Sequence, residues 1–300
     1  MTGEASPGYM PYPDVAARTA HMMMGVKIIA VGRNPLERAY SSYRYNYVTP
    51  ATDLLRRGKV RGVDKGKSND FYKENYLFSF EEMMQAELAV LKECFAPGGP
   101  GEVETKKKFG TQRWARDEYN RREQQGLPPL IDLDGTCYGD VVSKTIPRKQ
   151  WTKLLTQFPE KFVNVPNMFL TQAILGRSLY VFPLEWWYMT FDKSDIYFIC
   201  TEEMRDLSGE PINQLAQFLG LPSYNFSSVV GEGMYNVAGH KGYDKEVTWE
   251  QVEKEAEEDS SGNETETNIP LSDEFRQELE DFIRPFNERL FQLVGRQCNW

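Results

Sequence analysis

Residues Val26 to Tyr43 read VKIIAVGRNPLERAYSSY, and this stretch decides how the 300-residue chain is understood. Val26 to Gly32 is apolar, rich in β-branched residues and ends at an abrupt polar break, so it reads as a buried strand of a parallel sheet. Asn34-Pro35 opens a turn, and Leu36 to Tyr47 has the composition of a helix. Arg33 falls just past the carboxyl end of the strand, where open α/β sheets place their ligands. Ser41 follows eight residues later, two turns into the helix. A planar guanidinium can grip a phosphate, and a hydroxyl can donate to the same group, so an anion is the natural ligand of the pair. The plain alternative is an arginine closing a strand end beside a helix-surface serine.

Outward from this segment, strands and helices alternate. Tyr76 to Phe95 predicts a helix with Phe80, Met83, Met84, Leu88 and Leu91 near one face, stopped by Ala96 to Gly101 (APGGPG). Tyr180, Leu184, Trp187 and Phe191 make one helical stripe, with Pro183 starting or kinking it. Ile196 to Cys200 (IYFIC) is a second buried strand, followed by Thr201-Glu202-Glu203 and a helix from Pro211 to Leu219 that Gly220 ends. Phe275 to Val294 is a final amphipathic helix, with Pro285 as a possible bend. This alternation predicts an α/β fold with a mostly parallel central sheet.

The chain carries 44 acids, 35 bases and a formal charge of −9, which argues against a general nucleic-acid binder. The charge is uneven. Asp244 to Glu280 holds 14 acids and 3 bases, and the remainder is close to +2. An acidic loop at about 250–268 reads as a solvated segment. Thr105 to Arg122 carries seven bases and two acids, either an exposed insertion or a surface facing a polyanion. No stretch approaches the roughly 20 apolar residues of a membrane helix. Met1 to Asp14 lacks a basic start followed by an apolar run. His21 reads as a packed or surface histidine and Met22 to Met24 as core filling. Two histidines and no CxxC pair point away from a metal site. Cys200, in a buried strand, reads as a free core thiol.

VKIIAVGRNPLERAYSSY resembles the 3′-phosphate-binding motif of sulfotransferases that use PAPS (3′-phosphoadenosine 5′-phosphosulfate). Gly3 to Ser6 resembles a segment of the GalNAc 4-sulfate 6-O-sulfotransferase branch, with Ala5 where heparan sulfate sulfotransferases carry a lysine. Tyr180 to Phe191, the Ile196 strand, Gln217 to Pro222, Arg284 to Leu290, Leu293 to Arg296 and Trp300 resemble the family's second half. The resemblance implies a single three-layer, P-loop-NTPase-like domain over 1–300, with a polar insertion at about 49–134. It further implies that Arg33 and Ser41 grip the 3′-phosphate. Lys241-Gly242 matches two residues of a loop that closes over the nucleotide, though Tyr243 departs from that loop's arginine.

The implied reaction is sulfuryl transfer from PAPS to a hydroxyl of a glycosaminoglycan-like carbohydrate acceptor, sulfated or not, with PAP as product and no metal. The glycine-rich loop with which the family cradles the 5′-phosphosulfate is not found before Val26, where only 25 residues stand. Gly62 to Ser68 has suitable residue types after the wrong element and reads as a basic loop. The expectation is therefore an N-terminally incomplete sulfotransferase domain, lacking the first strand and loop. A non-catalytic PAP- or glycan-binding relative is the alternative, and a P-loop kinase is disfavoured for want of a Walker lysine motif. The general base is unassigned, and Glu4 is the candidate for acceptor or base work. The resemblance also implies a Cys94–Cys137 disulfide and a Golgi or secretory location, with no anchor visible in this chain; the sequons at Asn225 and Asn263 fit that location.

Overall fold

The computed structural model describes residues 3–5, 8–58, 60, 63–109, 113–131, 137–142, 154, 156–161, 173–232 and 269–300. Lys241, Gly242, the acidic loop at about 250–268 and the Asn263 sequon lie outside the described residues. Strand β1 (Ile28–Gly32) pairs in parallel with β2 (Ile196–Cys200), in a register that sets Ile28 beside Ile196 and Gly32 beside Cys200. A parallel pair needs a crossover, and here it is a long helical one. It comprises α2 (Pro35–Tyr43), α3 (Thr49–Arg56), α4 (Asn69–Tyr76), α5 (Phe80–Phe95), α6 (Pro100–Phe109), α7 (Arg113–Gln124), α8 (Cys137–Val142) and α9 (Val181–Thr190). Helix α1 (Pro13–Met22) precedes β1; α10 (Glu210–Phe218), α11 (Ser227–Glu232) and α12 (Asp273–Val294) follow β2. Among the described residues the chain is mostly helical around a two-stranded parallel sheet, compatible with the α/β class but with a smaller sheet than expected.

The predicted helix after Arg33 forms and runs on. A π-helical turn, Arg44–Val48, links α2 to α3 without leaving helical dihedrals. Pro50, at the first turn of α3, explains the widening: it has no N–H to donate backwards and its ring crowds the preceding turn. The α2–α3 arm buries Tyr40 and Tyr43 against Phe80 of α5 and Tyr47 against Tyr43, with Tyr40 and Phe80 edge to face at 5.1 Å. Ser79 and Glu82 form a reciprocal capping box that starts α5. Phe80, Met83, Met84, Leu88 and Leu91 are all buried, as the spacing predicts. The segment read as a polar insertion thus also supplies Leu55, Tyr72 and Leu91 to the main core.

Four expectations need correction. The first strand is not buried on both faces: Ala30 and Gly32 point inward, whereas Ile29 and Val31 are 41% and 49% exposed. Helix α10 packs on the β2 side, with Phe218 against Tyr197 at 5.2 Å, so the neighbouring β1 face stays open. Cys200 is not a free thiol. It is bonded to Cys298, while Cys94 is bonded to Cys137, the pair the resemblance implied. Met22, Met23 and Met24 are exposed rather than core filling. Helix α9 is buried nearly all round, because it runs between α1 and α12, so the single stripe describes only part of its packing. Its Glu185 is buried and bonded by Arg289 through both carboxylate oxygens (2.8 and 2.6 Å) and by Arg122 (3.2 Å). This cluster fastens α7 and α12 to α9.

Candidate anion-binding site at the end of β1

Gly32 ends β1 where the backbone passes close to two rings. A Cβ there would clash with the Phe198 ring and stand 3.2 Å from the Trp300 indole, so only glycine fits. Each backbone polar group of the turn that follows has a partner. The Gly32 carbonyl accepts from the Thr201 N–H (2.7 Å) and its hydroxyl (2.8 Å). The Arg33 N–H donates to the Tyr180 hydroxyl oxygen (3.4 Å), and that hydroxyl donates to the Arg33 carbonyl (3.1 Å). The Asn34 N–H donates to Glu202 Oε1 (2.9 Å), and the Asn34 carbonyl accepts from Arg38 N–H (2.9 Å). Burial raises the Tyr180 phenol above its ordinary value, so it stays protonated and able to donate at neutral pH. With its backbone accounted for, the turn presents Arg33 from a fixed base.

The side chains then divide the labour. Asn34 caps α2, its carbonyl oxygen accepting from the N–H groups of Leu36 (3.0 Å) and Glu37 (3.3 Å). Those two helix-start amides are therefore engaged within the protein, and an anion here must rely on side chains. The Arg33 guanidinium donates through Nε and Nη2 to Glu37 Oε2 at 3.3 and 3.2 Å, with its side chain 19% exposed and that of Glu37 38% exposed. Ser41 lies one turn beyond Glu37 on the same, less buried strip of α2, while Leu36, Ala39, Tyr40 and Tyr43 face the core. Glu37 and Ser41 thus share a strip, and Arg33, which precedes the helix, meets it through the ion pair with Glu37. The contact to Glu37 is long and uses one carboxylate oxygen, a weaker arrangement than the two-pronged contact a phosphate can offer a guanidinium.

The other sequence candidates are placed elsewhere. Glu4 is exposed and accepts from the Tyr9 hydroxyl at 2.6 Å. The described part of the Gly62 to Ser68 loop closes on α4, with the Tyr72 hydroxyl bonded to the Asp64 carbonyl (3.1 Å) and Lys67 over the Phe71 ring. Among the described residues no cluster of three His, Cys, Asp or Glu side chains is set to hold a metal ion.

Sequence reasoning assigned no role to the C-terminal tail or the acids after β2. Arg296 donates to the Phe198 carbonyl (3.0 Å) and pairs with Glu203 (3.2 Å), whose other oxygen accepts the Cys200 N–H (3.0 Å). Trp300 Nε1 donates to Glu202 Oε2 (3.0 Å). The visible signal was two adjacent carboxylates, Glu202 and Glu203, one residue past the end of a strand.

Compared with known proteins, the chain is similar to the membrane-associated sulfotransferase kil1 of Dictyostelium discoideum, at 21% identity over an aligned length of 312 residues. The alignment takes in 100% of this chain and 53% of that protein, so the chain spans about half the length of the curated relative it matches. No protein-family model matches the chain.

Proposed function

We propose that the chain serves sulfuryl transfer from PAPS to a hydroxyl of a glycosaminoglycan-like carbohydrate, and that the end of β1 holds the donor's 3′-phosphate. The observation that carries this is the Arg33 guanidinium at the carboxyl end of a parallel strand, on a fully bonded turn and paired with Glu37, one turn before Ser41 on α2. Similarity to a sulfotransferase along the whole chain supports it. PAPS supplies the sulfuryl group and, as PAP, the leaving group. Arg33 contributes a charged fork, Ser41 a hydroxyl donor, and Lys241 beside Gly242 in the sequence a further positive charge. These residues grip and orient the nucleotide; in transfers of this type, positioning and charge stabilisation supply most of the rate. The two disulfides support an oxidising compartment of the secretory pathway. Within the basic run Thr105 to Arg122, the exposed Lys106 and Lys107 suit an anionic glycan, whose attraction weakens as salt is added, whereas Arg122 is taken up by Glu185.

The test is calorimetric titration of PAP into the chain, followed by transfer of labelled sulfate from PAPS to chondroitin-type acceptors. The assay is run on the chain and on a version extended upstream. PAP binding with sulfate transfer is the expected result. No PAP binding to either version overturns the site. Binding without transfer to any glycan overturns the enzyme reading and leaves a PAP- or glycan-binding protein.

A further inference from the structure

We propose that Glu202 is a positioning residue for Arg33, and that Trp300 sets Glu202. The inference rests on the reading of Arg33 as the 3′-phosphate grip. The peptide unit between Arg33 and Asn34 is held at both ends: its carbonyl by the Tyr180 hydroxyl (3.1 Å), its N–H by Glu202 Oε1 (2.9 Å). That peptide plane fixes ψ of Arg33 and so the direction in which the guanidinium leaves the backbone. Tyr180 can hold the carbonyl but cannot by itself stop the plane from rocking; the carboxylate on the far side can.

Glu202 is in turn oriented by one N–H donor on each oxygen. Oε1 takes the Asn34 amide, 168 residues away in sequence, and Oε2 takes the Trp300 indole, 98 residues away. One bond per oxygen fixes the rotation of the carboxylate as well as its place. The indole is itself wedged among Tyr180 (5.8 Å), Phe291 (5.4 Å) and Phe198 (6.5 Å). The tail bearing it is tethered by the Cys200–Cys298 disulfide and by Arg296 on the Phe198 carbonyl. The chain of support therefore runs from tail to indole, carboxylate, peptide and guanidinium. Glu202 does not touch the phosphate; it acts through Arg33.

The experiment measures PAP affinity by calorimetry at fixed salt for wild type, Glu202→Ala, Glu202→Gln, Trp300→Phe and the Ala/Phe double variant, with folding checked by circular dichroism. Glu202→Ala should weaken PAP about tenfold, the scale of one hydrogen bond to a charged group. Glu202→Gln keeps an oxygen for the Asn34 amide and should bind within about threefold of wild type. Trp300→Phe keeps the ring but loses the donor and should weaken PAP about threefold. In the Glu202→Ala background it should add nothing, because its route is gone. Affinity within twofold of wild type for Glu202→Ala overturns the proposal, as does equal loss in Glu202→Gln or full additivity of Glu202→Ala and Trp300→Phe. Should Glu202→Ala not fold, an unchanged affinity in Trp300→Phe overturns it instead. Wild-type chain that binds no PAP removes the functional reading first, and this inference with it.

Discussion

Replacing Arg33 with alanine separates binding from folding more cleanly than any other single change in this chain. The backbone of the turn is bonded through Tyr180, Glu202, Thr201 and Arg38, and none of those contacts uses the Arg33 side chain. Among the contacts described, the side chain's ion pair joins Arg33 to a Glu37 whose side chain is 38% exposed. A pair of that kind, four residues apart on a helix, contributes about 0.3–0.5 kcal/mol. For a chain of this size the melting temperature should therefore move by no more than about 2 °C. Binding is another matter. Removing a charge-assisted, two-pronged contact to a phosphate costs roughly 1.5–3 kcal/mol. That corresponds to a loss of roughly 10- to 160-fold in PAP affinity. Calorimetry with PAP and a parallel thermal melt read both quantities on one sample. An affinity within twofold of wild type would refute Arg33 as the phosphate grip. A melting temperature lowered by more than about 5 °C would show that the residue holds the fold instead.

Glu37→Gln should raise PAP affinity about threefold at low salt, because it removes a negative charge that pairs with Arg33 and repels a phosphate; titrations at two salt concentrations check this, and weaker binding would contradict it. Cys298→Ser should lower stability by about 2–4 kcal/mol, since the bridge to Cys200 closes a loop of 98 residues. Non-reducing peptide mapping of the wild type should recover Cys94 with Cys137 and Cys200 with Cys298, and free thiols at either pair would refute the pairing. Glu185→Ala leaves the Arg122 and Arg289 guanidiniums without their buried carboxylate and should cost about 3–5 kcal/mol, read by chemical denaturation; an unchanged midpoint would refute the buried role. Burial raises the phenols of Tyr47, Tyr138 and Tyr180 above their ordinary value, so folding favours their protonated forms. The stability they contribute is whole below about pH 10, the unfolded value, and drains away as pH rises further. Melting temperatures that stay level above that pH would show the opposite.

The parts of the fold that local physics dictates were legible before any coordinates. The apolar run ending at Gly32, the Asn34-Pro35 start and the stripe on α5 each reflect neighbours within a few residues, and each formed as its pattern requires. The polar composition of 49–134 concealed core positions, since an amphipathic helix buries only one stripe and its average looks hydrophilic. What stayed hidden was long-range. Nothing near Cys200 announces Cys298, and nothing near Glu185 announces two arginines from α7 and α12. The open face of β1 could not be read from Ile29 and Val31, because exposure depends on which helix packs beside them. At the site, Arg33 and Ser41 carried a local spacing, whereas Glu202 and Trp300 contribute through partners 168 and 98 residues distant.

The pairing of β1 with β2 has a consequence for the order of folding. The contact between Asn34 and Glu202 closes 168 residues of chain. Loop-closure entropy for such a span is about 4.5 kcal/mol plus a constant, and it must be met before the strands return any hydrogen bonds. The helices of the crossover need no such closure and form from local contacts. A refolding chain therefore carries much of its helical core before it owns the proposed anion site, and during that interval β1 exposes an unpaired edge as well as Ile29 and Val31. Pulse-labelled hydrogen exchange during refolding should protect α5 before β1; simultaneous protection would mean that the crossover and the sheet condense together. The competence to bind would then be the last property the chain acquires, and the interval before it the one in which strand-to-strand aggregation competes.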